Sequence, residues 1–183
     1  MEMTRGELMS LIDELAESCV AHGISGTMTI YGGCAMMFHH PDLRATHDVD
    51  SVFQPYRQIK ELAESIASHH AGVDRQWLNM QVRDVLPIHA DDAPVTYFDR
   101  AGFTIRFASQ RYLLAMKAMS DRRSQKDLDD AAVLFNALHL RNWMDIDNIV
   151  HQYFGGGSAG SQELFMEDIE DRAAELARQT ATS

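Results

Sequence analysis

Thr27-Met28-Thr29-Ile30-Tyr31-Gly32-Gly33-Cys34-Ala35, followed after eleven residues by His47-Asp48-Val49-Asp50-Ser51-Val52-Phe53, is the stretch whose reading decides the fold. Thr27–Tyr31 alternates faces, as a short strand does. Gly32-Gly33 ends that strand, and Cys34-Ala35-Met36-Met37-Phe38 is an apolar run that can start a helix. Pro41 stops the helix, and 42–46 reads as a loop. His47–Phe53 then reads as a second strand. Side chains two apart on a strand point the same way, so Val49, Ser51 and Phe53 share one face and Asp48, Asp50 and Val52 the other.

Two carboxylates on one strand face repel unless solvent or a cation compensates. Magnesium is commonly held by one or two carboxylates together with substrate phosphates. On its own the Asp-x-Asp pair reads more readily as two solvated acids on an exposed sheet face. The glycines add weight, because a strand that runs through Gly-Gly into a helix presents bare backbone N–H groups, an anion site.

Upstream, Thr4-Arg5-Gly6-Glu7 fits a capping box, and Leu8, Leu11, Ile12, Leu15, Cys19 and Val20 recur at helical spacing up to Gly23. Downstream, Tyr56–His70 is helical in pattern. Asp74 is read as capping a short helix through Trp77, Leu78 and Val82. Val95–Phe98 and Phe103–Phe107 form a hairpin, Ser109 caps a helix through Lys117, another starts near Gln125, and Asp145 caps a third. Gly155-Gly156-Gly157-Ser158-Ala159-Gly160-Ser161 reads as a flexible linker that leaves an acidic helix free to pack on another chain. The expected class is α+β with an α/β front: a small mixed sheet flanked by helices, and a helical C-terminal part. The expected division is an α/β core over 1–108, a helical part over 109–154, and a linker with acidic helix over 155–183.

The chain has 183 residues, 16 basic against 27 acidic, for a net charge of −11. That acidity argues against a nucleic-acid coat or an anionic-membrane binder. Residues 18–41 carry no Asp, Glu, Lys or Arg, but glycines, histidines and Pro41 interrupt them, so no membrane span is expected. Met1-Glu2-Met3-Thr4-Arg5 lacks the apolar segment of a secretory signal, so the expected compartment is the cytoplasm. The charge is uneven. Residues 106–126 hold six bases and one acid, while 155–183 hold six acids and two bases. Lys117 lies within the apolar pattern of Leu113–Met116. Asp127 and Asp130 are three apart on one helix face. The adjacent pairs His39-His40 and His69-His70 lack the i, i+4 metal spacing, and Cys19 and Cys34 have no CxxC partner, so zinc is not expected.

Taken together, Tyr31-Gly32-Gly33-Cys34-Ala35, Arg44-Ala45-Thr46-His47-Asp48-Val49-Asp50, Leu113-Leu114-Ala115-Met116-Lys117 with Arg122, and Lys126-Asp127-Leu128-Asp129-Asp130 resemble the bacterial minimal nucleotidyltransferases of the AbiEii toxin type, in the DNA polymerase β-like nucleotidyltransferase superfamily. The resemblance spans roughly 8–154. It implies a sheet of nucleotidyltransferase type. It also implies Mg²⁺- or Mn²⁺-dependent transfer of a nucleotidyl group from a nucleoside triphosphate, in a toxin paired with an antitoxin protein. Asp48 and Asp50 would hold the metal. Gly32, Gly33, Cys34, Arg44, Thr46, Lys117 and Arg122 would contact nucleotide. Lys117, Asp127 and Asp130 would complete the catalytic set. An RNA acceptor is not supported by the net charge.

The sequence departs from the superfamily at three points. Cys34 stands where Ser is common, and a thiol is a poorer donor. Lys126 replaces Arg and loses the planar fork. The strand expected to bring a third carboxylate, Phe103-Thr104-Ile105-Arg106-Phe107, has none, and Asp99 on the preceding strand is only a weak substitute. The alternative is therefore a catalytically weak or inactive protein of this fold that binds nucleotide or a protein partner.

Overall fold

The computed structural model describes residues 3–43, 46–156 and 160–181. The protein is mixed α/β, with a five-stranded mixed sheet, seven helices among the described residues and a helical C-terminal part. It divides into two compact units. The first holds the described residues up to Asp84 together with Ala93–Ala108, and the second holds Val85–Asp92 and the described residues from Ser109 onward.

In the first unit, α1 (Arg5–Ala21) starts where the sequence says it should. Thr4 Oγ1 accepts from the Glu7 N–H at 3.3 Å and the Glu7 carboxylate accepts from the Thr4 N–H at 2.8 Å. This reciprocal pair satisfies donors that a helix start leaves open. Leu8, Leu11, Ile12, Leu15 and Cys19 are buried along one stripe, and the helix ends before Gly23 at φ +67°. The chain then forms β1 (Gly26–Ile30), α2 (Gly32–His39), β2 (Val49–Gln54) and α3 (Tyr56–His69).

Tyr31 leaves β1 and becomes the residue before α2, and the helix takes in both glycines rather than starting at Cys34. β2 starts at Val49 and not at His47, so Asp48 lies just before the strand; on β2 itself Val49, Ser51 and Phe53 are buried, as expected, while Asp50 and Val52 are half-buried.

The segment after α3 differs from the sequence expectation. Leu78–Asn79 is a short strand, β3, parallel to β2, and a 3₁₀ turn follows over Gln81–Val85. Asp74 accepts from the Gln76 N–H at 2.7 Å in a turn and caps no helix. Trp77 decides the matter. It is fully buried, its indole N–H donates to the Ala63 carbonyl at 2.9 Å, and its own carbonyl accepts from the Val49 N–H at 2.6 Å. That anchor brings the next two residues alongside β2.

A hairpin closes the unit. β4 (Val95–Arg100) and β5 (Phe103–Phe107) join through Ala101-Gly102, both at positive φ, as a tight hairpin turn requires. The sheet order is β3-β2-β1-β5-β4, with β1 antiparallel to β2 and parallel to β5.

The second unit comprises α4 (Gln110–Ala118), α5 (Gln125–Ala137), α6 (Trp143–Phe154) and α7 (Ser161–Ala181). Ser109 and Ser124 cap α4 and α5. Asp91 grips the first of these caps, accepting from the Ser109 N–H at 2.6 Å and from its hydroxyl at 2.7 Å. The cap of α6 is Asn142, which accepts from the Met144 N–H at 3.1 Å. Asp145, the expected cap, lies in the first turn and binds Arg141.

The acidic α7 is not free, as the glycine-rich stretch suggested. Phe165, Met166, Ile169 and Ala173 are buried, Asn136 donates to the Ala173 carbonyl at 2.9 Å, and Arg172 pairs with Asp129 at 2.8 Å. Residues 157–159 of that stretch lie outside the described residues. The apolar stripe of α7 thus meets its partner, chiefly α5, inside the same unit. Replacing the fully buried Ile169 with Ala should lower the unfolding free energy by about 3 kcal/mol, read by urea titration. A helix that did not pack on its own unit would give no measurable change.

Candidate functional site

The antiparallel register of β1 and β2 brings the end of one strand beside the start of the other, Ile30 opposite Ser51. The Gly-Gly turn and the Asp-x-Asp pair therefore share one end of the sheet. The Tyr31 N–H donates to the Asp50 carbonyl at 2.8 Å and prolongs the pairing by one step.

Gly32 is in the left-handed region at φ +59°, and a Cβ there would sit 2.5 Å from Asp50 Oδ2. A Cβ on Gly33 would sit 2.8 Å from Thr46 Oγ1. Gly32 suits its left-handed backbone, and at both glycines the missing side chain lets a polar group, the Asp50 carboxylate or the Thr46 hydroxyl, rest against the start of α2. The first α-helical bond of this helix runs from the Ala35 N–H to the Tyr31 carbonyl at 3.3 Å. The N–H groups of Gly32, Gly33 and Cys34 therefore come before the helix's own ladder, where a helix leaves its donors for other partners.

Thr46 is held in turn from the N-terminal side. Met3 and Thr46 form an antiparallel bridge, with N–H to carbonyl distances of 2.7 and 3.3 Å. Arg44, expected to contact nucleotide, lies outside the described residues. Cys34 is only 2% exposed, and burial, aided by the nearby charges of Asp50 and Asp48, pushes its thiol up to about 12. It stays protonated and packed, so at this position the backbone and not the side chain can meet a ligand.

Asp48 and Asp50 are both half-buried. Asp48 Oδ2 accepts a 2.8 Å hydrogen bond from the Asn79 amide, a residue that sequence reasoning did not single out. Asn79 lies opposite Asp50 on β3, so β2 is flanked by β3 and β1, and Phe103–Phe107, the strand expected to bring a third carboxylate, is not a neighbour. β5 is separated from β2 by β1, and β4, which carries Asp99, lies one strand further out. Asp99 accepts from the Thr104 hydroxyl and has no place at this end of the sheet. The Trp77-Leu78-Asn79 run holds the only signal, an apolar pair too short to show a period.

Among the described residues no group of three or more His, Cys, Asp or Glu is arranged to hold a metal ion. The two aspartates suit a hard cation that takes its remaining oxygens from phosphate and water. The protonated Cys34 gives no thiolate for a soft one.

The second unit carries the other expected residues. Lys117 is bound by Asp127 Oδ1 at 2.8 Å and Asp130 Oδ2 at 2.9 Å, with the three side chains 14%, 9% and 7% exposed. Burial alone would lower the lysine's pKa, but the two carboxylates outweigh it and hold it above the ordinary value. Burial would likewise raise Asp127, and the Lys117 and Ser124 bonds bring it below. The three form a self-contained triad tying α4 to α5. Arg122 is exposed. The other bases of the positive segment are dispersed: Arg106 is on β5 of the first unit, Arg111 donates to Gln152, Arg123 stacks over Phe165, and Lys126 is in the first turn of α5.

Among the described residues, two clefts stand apart from the Gly32–Asp50 approach. One of about 590 Å³ is lined by Ser25, Gly26, Thr27, Gln54, Pro55 and Tyr56, at the opposite end of β1 and β2 from the glycines. One of about 220 Å³ lies by Arg123 and Phe165 in the second unit. No helix among the described residues is long and apolar enough to cross a membrane.

Lys117→Met should destabilise the protein by about 3–5 kcal/mol at pH 7, because two buried carboxylates lose their counter-charge. The triad's contribution is present above the ordinary carboxylate pKa of about 3.9 and is lost as pH falls through the lowered Asp127 value. At the alkaline end it is present below about 10.4 and is lost as pH rises through the raised Lys117 value. The variant's deficit should therefore hold down to about pH 4 and shrink as pH falls below it. A deficit under about 1 kcal/mol at pH 7, by urea unfolding, would contradict the pairing.

Searches against family models, curated proteins and solved structures found no match, so the functional reading rests on the residues and their geometry.

Proposed function

We propose that this protein is a nucleotidyltransferase that moves a nucleotidyl group from a nucleoside triphosphate–Mg²⁺ complex to an acceptor. The observation that carries the reading is the pair of close approaches at the start of α2, with the Asp50 carboxylate on Gly32 and the Thr46 hydroxyl on Gly33. Helix N–H groups of Gly32, Gly33 and Cys34 offer donors to phosphate oxygens. Asp48 and Asp50 would hold the divalent cation, which supplies charge neutralisation to the triphosphate when bound. The Thr46 hydroxyl adds a donor at the same end of the sheet.

Transfer forms a bond from an acceptor oxygen to the α-phosphorus and breaks the bond from that phosphorus to the pyrophosphate oxygen. Pyrophosphate leaves, and the acceptor's proton is released. Catalysis of this kind rests on positioning and electrostatics more than on covalent chemistry. The role of toxin with a protein antitoxin rests on the resemblance to the AbiEii type alone. A second reading, nucleotide binding without turnover, is favoured by one observation: the strand beside β2 brings the amide of Asn79 and no third carboxylate.

Incubation with labelled nucleoside triphosphates, Mg²⁺ and either total RNA or total protein tests the first reading. Label transfer is expected, and Asp48→Ala and Asp50→Ala should each reduce it at least about 100-fold. Calorimetry with ATP–Mg²⁺ separates the rest. Binding without transfer supports the second reading, and neither binding nor transfer contradicts both.

A further inference from the structure

We infer that Asn79 is a positioning residue of the nucleotide site, its side-chain amide holding the Asp48 carboxylate in the orientation that receives the cation. The inference rests on the nucleotidyltransferase reading and deepens it.

Asn79 is fixed from four directions. Its backbone lies in parallel register with Asp50 on β2. Its carbonyl accepts from the Ser51 hydroxyl at 3.2 Å. Its side-chain oxygen accepts from the Gln81 N–H at 3.0 Å, which leaves its NH₂ to point elsewhere. That NH₂ donates to Asp48 Oδ2 at 2.8 Å. The preceding residue is braced as well, since Lys60 Nζ donates to the Leu78 carbonyl at 3.1 Å and Trp77 is fully buried.

The geometry has a chemical consequence. Asp48 precedes β2 and so lacks the ladder bonds that fix Asp50. A carboxylate at a strand's entrance keeps rotational freedom unless another group takes one of its oxygens. Asn79 takes Oδ2 and leaves Oδ1 to a ligand. An amide does this without adding charge. A third acid there would face Asp48 across 2.8 Å and would need a cation to be tolerable. Groups that orient a ligating carboxylate commonly matter to metal affinity nearly as much as the ligand does.

The test is a double-mutant cycle on Mn²⁺–ATP affinity, measured by calorimetry with the full chain, with thermal unfolding of each nucleotide-free variant alongside. Asn79→Ala should weaken binding roughly 10-fold in the wild-type background. In the Asp48→Ala background the same substitution should change affinity less than about 2-fold, since its object is gone. If Asn79→Ala weakens binding equally in both backgrounds, or in neither, the inference is overturned while the nucleotide reading stands. If the wild type binds no Mn²⁺–ATP, the nucleotide reading fails and this inference with it. Should the alanine variant not fold, Asn79→Thr, whose β-branch suits a strand, gives the same cycle with the same expectations.

Discussion

The first unit depends on one close approach. Gly32 is at φ +59°, and the Asp50 carboxylate occupies the space where its side chain would be. A β-carbon there would strain the backbone, because an L-residue pays about 1–2 kcal/mol to be left-handed. It would also force the Asp50 carboxylate to move off the start of α2. With glycine present, the strand turns directly into α2, the Tyr31 N–H reaches the Asp50 carbonyl, and the helix start faces the acidic strand across no intervening side chain. A helix start attracts anions and the two aspartates attract cations. On the proposed reading, a triphosphate with its cation would satisfy both demands at one end of the sheet.

The second unit solves a different problem, the burial of three charges. Lys117, Asp127 and Asp130 pair among themselves, so the cost of desolvation is met by short ion pairs on α4 and α5. Their tight mutual bonding accounts for the Lys…Asp-x-x-Asp pattern in structural terms within this unit. The net charge of −11 likewise reflects placement more than a uniform field. Arg172 on the acidic α7 pairs with Asp129 and Glu175.

Much of the fold was legible because its signals are local and periodic. Thr4 and Glu7 declare the start of α1, Ser109 declares α4, and the alternation of Val49, Ser51 and Phe53 declares the buried face of β2. The glycine pair was legible as a turn from strand to helix, but its close approach to Asp50 and Thr46 depends on pairing distant in sequence. What stayed hidden depends on contacts distant in sequence. β3 is two residues long, and Trp77, anchored on Ala63, places it. Asn79 could not be seen without that strand. The cap of α6 was misplaced because Asn142 and Asp145 are both good cap residues and only the tertiary setting chooses. The packing of α7 was hidden by the glycines before it, which mark a break in the helix but do not reveal where the following helix docks.

The central claim is that the start of α2 and the Asp48–Asp50 pair form a single nucleotide site. Amide chemical shifts during a titration with Mg²⁺–ATP test it most directly, with resonances assigned along the backbone. The account predicts saturable shifts at Gly32, Gly33 and Cys34, with Thr46, Asp48 and Asp50 following the same binding curve. Saturable shifts confined to the cleft by Arg123 and Phe165, or no shifts at the glycines at saturating nucleotide, would contradict it.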